Sequence, residues 1–219
     1  MVVTFKVAFC ATTVLLIVGI PLAYWLAHTK SRVRVAIETI VSMPLVLPPS
    51  VLGFYLLMAF SKKNSAIGRY LDERFDFQLV FSFEGLVLGS VIFSLPFMVH
   101  PIQSGFSSLS VSLREAAATL GAGRLKTLLF VLLPNMKSSL LVGAVLSFAH
   151  TVGEFGVVMM IGGSRPGVTK VASIAIYEEV EGLNYALAHK YAFTLFAITF
   201  AMLLCVYILN RRFARANVL

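Results

Sequence analysis

The residue best placed for chemistry in this sequence is Glu154, an acid inside a long apolar run. His150 lies one helical turn before it, so on a helix the two side chains would share a face and could pair. An ionised carboxylate near the centre of a bilayer costs at least about 2.5–3.5 kcal/mol, so it should face the protein interior and have a partner. The segment 153–156 therefore either borders a polar pathway or forms a structural hydrogen bond that locks helix packing.

A second unusual feature is a group of prolines in another apolar run, Pro44, Pro48 and Pro49. Proline removes a backbone donor and breaks a helix. Backbone carbonyls freed in this way at membrane depth are tolerated only beside protein or a water-filled cavity. The segment 47–53 is therefore either a second border of the pathway or a simple kink. The predicted pathway residues are Pro48, Pro49, Ser50, Gly153, Glu154, Phe155 and Gly156.

Other arrangements of reactive residues do not support catalysis or metal binding. The four histidines have no ligand spacing, and the two cysteines, Cys10 and Cys205, lie singly in apolar runs. The segment 162–169 has the G-x-x-x-x-G spacing of a phosphate loop, but Val168 stands where a lysine is needed. We interpret that segment as a turn. The sequence predicts a protein with no catalytic residues, metal or cofactor of its own.

The composition indicates a membrane protein with lipid as its main surroundings. Of 219 residues, 58% are hydrophobic and 13% are charged, whereas soluble domains are about 25% charged. This excludes a disordered chain, a nucleic-acid module and an ordinary cytosolic enzyme. The net charge of +8 is explained by basic residues that flank spans and face lipid headgroups, so no nucleic-acid partner is expected.

Five stretches are long and apolar enough to cross a bilayer, which takes about 20 residues. They are residues 7–27, 37–60, 85–103, 138–162 and 191–209. The segments between them are short, so residues 1–219 are expected to form a single transmembrane domain. With an odd number of spans, ten Lys and Arg residues lie on one side and eight on the other. This excess predicts the N-terminus outside and the C-terminus in the cytoplasm.

One segment outside the spans is predicted to fold, between residues 105 and 134. Ser112 and Glu115 have the S-x-x-E spacing of a helix capping box. Gly121 stands where a helix would end in the left-handed conformation. A second short helix is expected from Gly123 to Leu133, ending at Pro134. The two helices would form a projecting elbow, unless the segment is a surface linker without a partner.

The spacing in this elbow resembles the EAA signature of binding-protein-dependent ABC importer permeases. The matching positions are Glu115, Ala116, Ala117, Gly121, Val131, Leu133 and Pro134, with Val131 in place of the usual isoleucine. Segments 43–49, 120–124 and 152–156 resemble the branch of that family that transports molybdate. The resemblance implies an all-α polytopic fold of the type I importer permease class, with five transmembrane helices and a cytoplasmic coupling helix.

The resemblance also implies partners and a location. The implied partners are a dimer of separate ABC ATPase subunits docked on the elbow, a second copy of the permease that shares the pathway, and a periplasmic or lipid-anchored oxyanion-binding protein. The expected coupling residues are Glu115, Ala116, Ala117, Gly121, Gly123, Leu133 and Pro134. The chain would lie in the cytoplasmic (inner) membrane of a prokaryote. Tungstate or sulfate remain open as substrates, and an ion-coupled secondary transporter is a less favoured alternative because the sequence lacks an internal repeat and has one deep acid.

Overall fold

The computed structural model describes residues 1–75 and 77–216, with the backbone alone at residues 71, 75 and 209–216. Residues 76 and 217–219 of the predicted domain lie outside the described residues. Within the described part of the chain the regular structure is entirely helical. The α-helices are α1 (Val2–His28), α2 (Val33–Ser42), α3 (Pro49–Phe60), α4 (Ala66–Phe75), α5 (Phe83–Ser108), α6 (Val111–Thr119), α7 (Arg124–Thr127), α8 (Leu133–Asn135), α9 (Lys137–Gly153), α10 (Gly156–Gly162), α11 (Ala172–Glu181) and α12 (Tyr185–Ala216).

Three of these helices are long and apolar enough to cross a membrane by themselves, namely α1, α5 and α12. Two bent pairs also qualify, which gives up to five spans in the described chain. The first pair is Val33–Leu45 with Pro49–Phe60, bent by 112°, and the second is Arg124–Asn135 with Lys137–Gly153, bent by 80°. The prediction of an all-α polytopic membrane protein is confirmed.

The predicted spans fall on these helices in two ways. Residues 7–27, 85–103 and 191–209 lie within α1, α5 and α12, which extend beyond them at one or both ends. Residues 37–60 fall on α2, a 3-10 turn (Met43–Leu45) and α3, so the proline-rich break is confirmed. The predicted span of residues 138–162 falls on two helices, α9 and α10. Its helix stops at Gly153 and restarts at Gly156, because Glu154 adopts an extended backbone.

The core is built around α5, which α1 and α9 flank. α1 runs parallel to α5, since Gly19 lies against Met98 and Tyr24 packs edge-on against Phe106 with ring centroids 5.3 Å apart. α9 runs antiparallel to α5, with Gly143 close to the Met98 carbonyl. A second apolar cluster joins α3, α10 and the first half of α5. These contacts fix the two broken helices, α2–α3 and α9–α10, against the centre of α5.

The last helix, α12, is bound to the rest of the chain only along part of its length. It packs against α11 and α9, and none of its most apolar stretch is buried within the protein. Exposed aromatic side chains on this helix include Phe193, Phe196 and Phe200. An apolar surface of this extent is typical of a helix that contacts lipid or another membrane protein.

Candidate functional site

The first candidate site is the elbow, which we define as residues 110–127. Its first helix, α6, begins at Val111, and the hydroxyl of Ser110 accepts a hydrogen bond from the N–H of Ser112. The predicted capping box of Ser112 and Glu115 is therefore wrong. Ser110 has the extended backbone that a capping residue needs, whereas Ser112 already lies in the first helical turn.

The end of α6 is formed as the sequence predicts. Gly121 has φ +74°. The N–H of Ala122 donates to the carbonyl of Ala117 at 2.9 Å, and the N–H of Gly121 donates to the carbonyl of Ala118 at 2.9 Å. This pair of bonds is the Schellman motif, which requires a left-handed residue directly after the helix. A Cβ atom at Gly121 would have no neighbour within 4 Å, so the backbone conformation alone favours glycine there.

The second half of the segment continues further than predicted. α7 begins after Gly123 and leads through a π-helical turn, Leu128–Leu132, into α8, which ends at Asn135. The predicted stop at Pro134 is therefore wrong. The N–H of Leu133 donates to the carbonyl of Leu128, five residues back. This wider turn accommodates the ring of Pro134, which would clash with the carbonyl four residues earlier in a regular α-helix.

The predicted coupling residues divide between the surface of the elbow and its attachment to the bundle. Ala117 is 6% exposed and anchors α6. Leu120, beside Gly121, is 87% exposed although it is apolar. A single exposed leucine is ordinary, but Val111 and Leu125 of the elbow are exposed as well, and a group of exposed apolar side chains is typical of a surface that contacts another protein. The remaining predicted residues are Glu115, Ala116, Gly121, Gly123 and Pro134, which are exposed, and Leu133, which is half-buried.

The second candidate site is a cavity of about 680 Å³ where the two broken helices meet α5. We call it the central cavity. Six of the seven predicted pathway residues line it, although they come from segments about 100 residues apart in the chain; Pro48 precedes them and is not in the lining. The lining residues are Pro49, Ser50, Phe93, Ala149, His150, Gly153, Glu154, Phe155 and Gly156.

The starts of α3 and α10 lie side by side at this cavity. A Cβ atom at Gly156 would lie 2.7 Å from Cβ of Pro49 and 3.1 Å from the Ser50 nitrogen. One turn further on, a Cβ atom at Gly53 would lie 3.0 Å from Cα of Val157. Both glycines therefore allow the two helix backbones to approach more closely than any side chain would permit.

Glu154 is held by α5 and not by His150. The Ser90 hydroxyl donates to Glu154 Oε2 at 2.7 Å, and the acid is 4% exposed. Its Oε1 has no hydrogen-bond partner among the described residues. The predicted His150–Glu154 pair is wrong because α9 ends at Gly153, so the spacing rule for one helical face does not extend to residue 154. The Ser173 hydroxyl of α11 donates to the Glu154 carbonyl at 2.6 Å. This bond attaches the break between α9 and α10 to α11.

His150 is positioned by a different set of residues. Its Nδ1 lies 2.9 Å from the Ser94 hydroxyl, which also lies 3.0 Å from the Thr151 hydroxyl. The imidazole ring packs against Phe93 and Phe97, with centroid distances of 4.7 and 4.0 Å. Sequence reasoning did not identify the serines. The pattern that could have identified them is the spacing of Ser90 and Ser94, which lie one helical turn apart within an apolar span, where a polar residue needs a partner.

The fold and the central cavity are those of a polytopic α-helical membrane protein of the ABC importer permease type. The chain superposes on the structure entitled "Inward facing conformations of the MetNI methionine ABC transporter: CY5 native crystal form" with a TM-score of 0.75, at 15% identity, covering 96% of this chain and 92% of that chain. This likeness concerns the fold. Among the described residues, no group of His, Cys, Asp or Glu could hold a metal ion.

Residues 19–216 match the family described as "Binding-protein-dependent transport system inner membrane component", and the chain belongs to that family. It is 43% identical over 210 residues to the "Molybdenum transport system permease protein ModB" of Azotobacter vinelandii, covering 96% of this chain and 92% of that protein. It is also 31% identical to the "Sulfate transport system permease protein CysT" of Salmonella typhimurium, covering 97% and 76% of the two chains. The resemblance found in the elbow is thus confirmed as a family relationship.

Proposed function

We propose that this chain is the membrane permease of an ATP-driven importer for molybdate, and that it forms the oxyanion pathway as a homodimer. The main support for molybdate is the 43% identity to a molybdenum permease over almost the whole chain. The observation that carries the transport mechanism is the exposed elbow, which is rigidly capped at both ends of α6 and joined to a bundle whose helices break before α3 and between α9 and α10.

The elbow is the part that receives the force of ATP hydrolysis. The separate ATPase subunits bind the exposed surface around Glu115, Ala116, Leu120 and Gly121. When the ATPase subunits move the elbow, Ala117 and the short helices α7 and α8 transmit this movement to α9, because α8 joins α9 directly at Met136. In this proposal the elbow lies in the cytoplasm, the N-terminus lies outside, and the C-terminus lies in the cytoplasm of a prokaryotic cell.

The central cavity is the part of the pathway supplied by each chain. It is lined by the predicted residues of both broken helices. α3 begins at this cavity, and the partial positive charge at a helix start favours an anion. The cavity is also open at the surface of the chain, so a second copy completes the enclosure. An oxyanion-binding protein delivers the substrate at the end of the bundle opposite the elbow, where α4 and α11 lie.

The proposal is tested by reconstituting the chain with its ATPase and binding protein in lipid vesicles. We expect ATP-dependent uptake of labelled molybdate, and no uptake with ATP absent. An elbow variant with Glu115→Lys and Leu120→Asp should lose co-purification with the ATPase while the membrane bundle remains folded. Retention of the ATPase by this variant would contradict the assignment of the elbow.

Sulfate is a second candidate substrate, supported by the identity to a sulfate permease across 97% of the chain. The same vesicles distinguish the candidates when labelled molybdate, tungstate and sulfate are offered with the matching binding proteins. Preference for sulfate would move the chain to the sulfate branch without changing the assignment of the elbow.

A further inference from the structure

The imidazole of His150 is fixed in one orientation at the central cavity. Phe97 stacks on it at 4.0 Å with an interplanar angle of 28°, and Phe93 packs on it at 4.7 Å. Its Nδ1 is bound to the Ser94 hydroxyl. Among the described residues Nε2 has no hydrogen-bond partner, and the side chain is half-buried in the cavity lining. Nε2 is therefore the free polar atom of a rigidly held ring.

The hydrogen bonds around the ring determine which nitrogen carries the proton. Thr151 is 4% exposed and Ser94 is 0% exposed, and within the described residues the Thr151 hydroxyl has Ser94 as its one partner. If Nδ1 carried the proton and donated it to Ser94, the Ser94 and Thr151 hydroxyls would have two protons but a single contact between them, so one of these protons would stay unpaired in a buried position. Buried donors are almost always paired. In the other arrangement Thr151 donates to Ser94, Ser94 donates to Nδ1, and the ring proton lies on Nε2.

Together these observations point to a ligand. We propose that the Nε2–H of His150 donates a hydrogen bond to the tetrahedral oxyanion as it passes through the central cavity, an inference that rests on the proposed function. Ser94 and Thr151 are positioning residues that hold the ring in the donor tautomer. A neutral donor attracts an anion without trapping it, which suits a pathway that must bind its substrate and then release it.

The other polar groups of the cavity are consistent with this role. Ser50 is exposed there and offers a second hydroxyl donor. Glu154 also lines the cavity, but its Oε2 accepts the Ser90 hydroxyl and its side chain is 4% exposed. The acid therefore presents little repulsive surface to an anion. The donors that face the cavity come from α3 and α9, so the substrate would bridge the two broken spans.

The test compares His150→Phe, which keeps the aromatic packing and removes the donor, with His150→Gln, which keeps an N–H donor. His189→Phe serves as a matched control, because His189 is exposed on α12 and, among the described residues, stacks on Phe193 alone. All variants are reconstituted with the ATPase and the binding protein. We expect His150→Phe to lower molybdate uptake per ATP hydrolysed by about tenfold, while His150→Gln and the control stay within about threefold of the starting protein.

A second measurement keeps the inference separate from the proposed function. Nitrogen NMR of the [¹⁵N]histidine-labelled protein in detergent reports the tautomer directly, and His150→Gln identifies the signal. We expect a proton on Nε2, loss of this preference in Ser94→Ala, and a shift of the Nε2 signal when millimolar molybdate is added. A proton on Nδ1, or equal uptake by His150→Phe and the starting protein, would overturn the role of His150. Absence of molybdate uptake by the starting protein would instead contradict the proposed function.

Discussion

The elbow and the central cavity are built in opposite ways. The elbow is shaped by neighbours in the sequence: Ser110 caps α6 two residues away, and the bonds around Gly121 span three to five residues. The cavity is held by contacts between distant segments, such as Ser90 with Glu154, 64 residues apart, and Ser94 with His150, 56 residues apart. The proposed coupling surface is thus locally encoded, whereas the proposed substrate surface depends on the tertiary fold.

The comparison between the elbow and the central cavity is tested most strongly at Gly156, where α10 touches α3. In Gly156→Ala the new Cβ would lie 2.7 Å from Cβ of Pro49, so α3 and α10 must separate. Forced overpacking of this kind costs about 1–3 kcal/mol. We expect thermal unfolding in detergent to show a Tm lowered by about 2–12 °C, at about 2–4 °C per kcal/mol for a chain of this length.

Gly153→Ala is the matched control for that variant. Gly153 lines the same cavity, but a Cβ atom there would have no neighbour within 4 Å. Its Tm should therefore stay close to that of the starting protein. Equal losses in the two variants would show that the contact between α3 and α10 does not hold the cavity together.

The hydroxyl that holds Glu154 should have the next largest effect. Ser90→Ala removes the partner of Oε2, and Oε1 has none within the described part of the chain, so a buried carboxyl would remain without a hydrogen bond. Leaving a buried polar group unsatisfied costs about 1–3 kcal/mol. The matched control is Ser107→Ala on the same helix, where the exposed hydroxyl bonds to its own helix. A Tm of Ser90→Ala equal to that of Ser107→Ala would show that the hydrogen bond between Ser90 and Glu154 does not stabilise the fold.

A smaller effect is expected at the elbow, and it depends on backbone conformation alone. Gly121 and Gly123 both lie in open space, but only Gly121 has a positive φ. A non-glycine residue in the left-handed conformation costs about 1–2 kcal/mol. Gly121→Ala should therefore loosen the elbow and weaken co-purification of the ATPase by about thirtyfold at most. Gly123→Ala should co-purify as well as the starting protein, and equal behaviour of the two variants would contradict the role of the capped elbow.

These contrasts explain how much could be predicted from the sequence. The spans followed from apolar length, the break before α3 followed from prolines, and the end of α6 followed from Gly121, because each signal is local. The pairing of His150 with Glu154 failed because it assumed a helix that continues through Gly153. The break at Glu154 depends on Ser90, Ser173 and the start of α3, which no local pattern joins. The continuation of the helix past Pro134 likewise required a π-helical turn that spacing does not reveal.

The smallest predicted effect concerns an ion pair between Lys170 and Glu178, in the segments that join α10 to α12. The hydrogen bond from Lys170, followed by one from Ser164, lowers the pKa of Glu178 from its ordinary value of 4.5. The hydrogen bond to Glu178 raises the pKa of Lys170 above its ordinary 10.5. The lowered pKa stabilises the fold above about pH 4.5, and this contribution is lost as the pH falls through the folded-state value.

The raised pKa of Lys170 has the opposite sign, since its contribution is present below about pH 10.5 and is lost at higher pH. Lys170→Met should therefore lower the Tm at pH 7 by an amount that corresponds to less than about 1 kcal/mol, because the pair is partly exposed. The difference should shrink as the pH falls below about 4.5 and through the lowered pKa of Glu178. A difference that is unchanged at pH 3 would show that the lysine acts through its packing and not through the pair.

The central claim is that the elbow lies in the cytoplasm, where an ATPase can reach it. The direct measurement places one thiol at Ala118, an exposed position of α6, in a chain whose Cys10 and Cys205 have been replaced by serine. A second chain carries Glu181→Cys at the end of α11 as the outside control. An impermeant maleimide should label the control in intact cells and label residue 118 only in inverted vesicles. Labelling of residue 118 in intact cells would contradict the account.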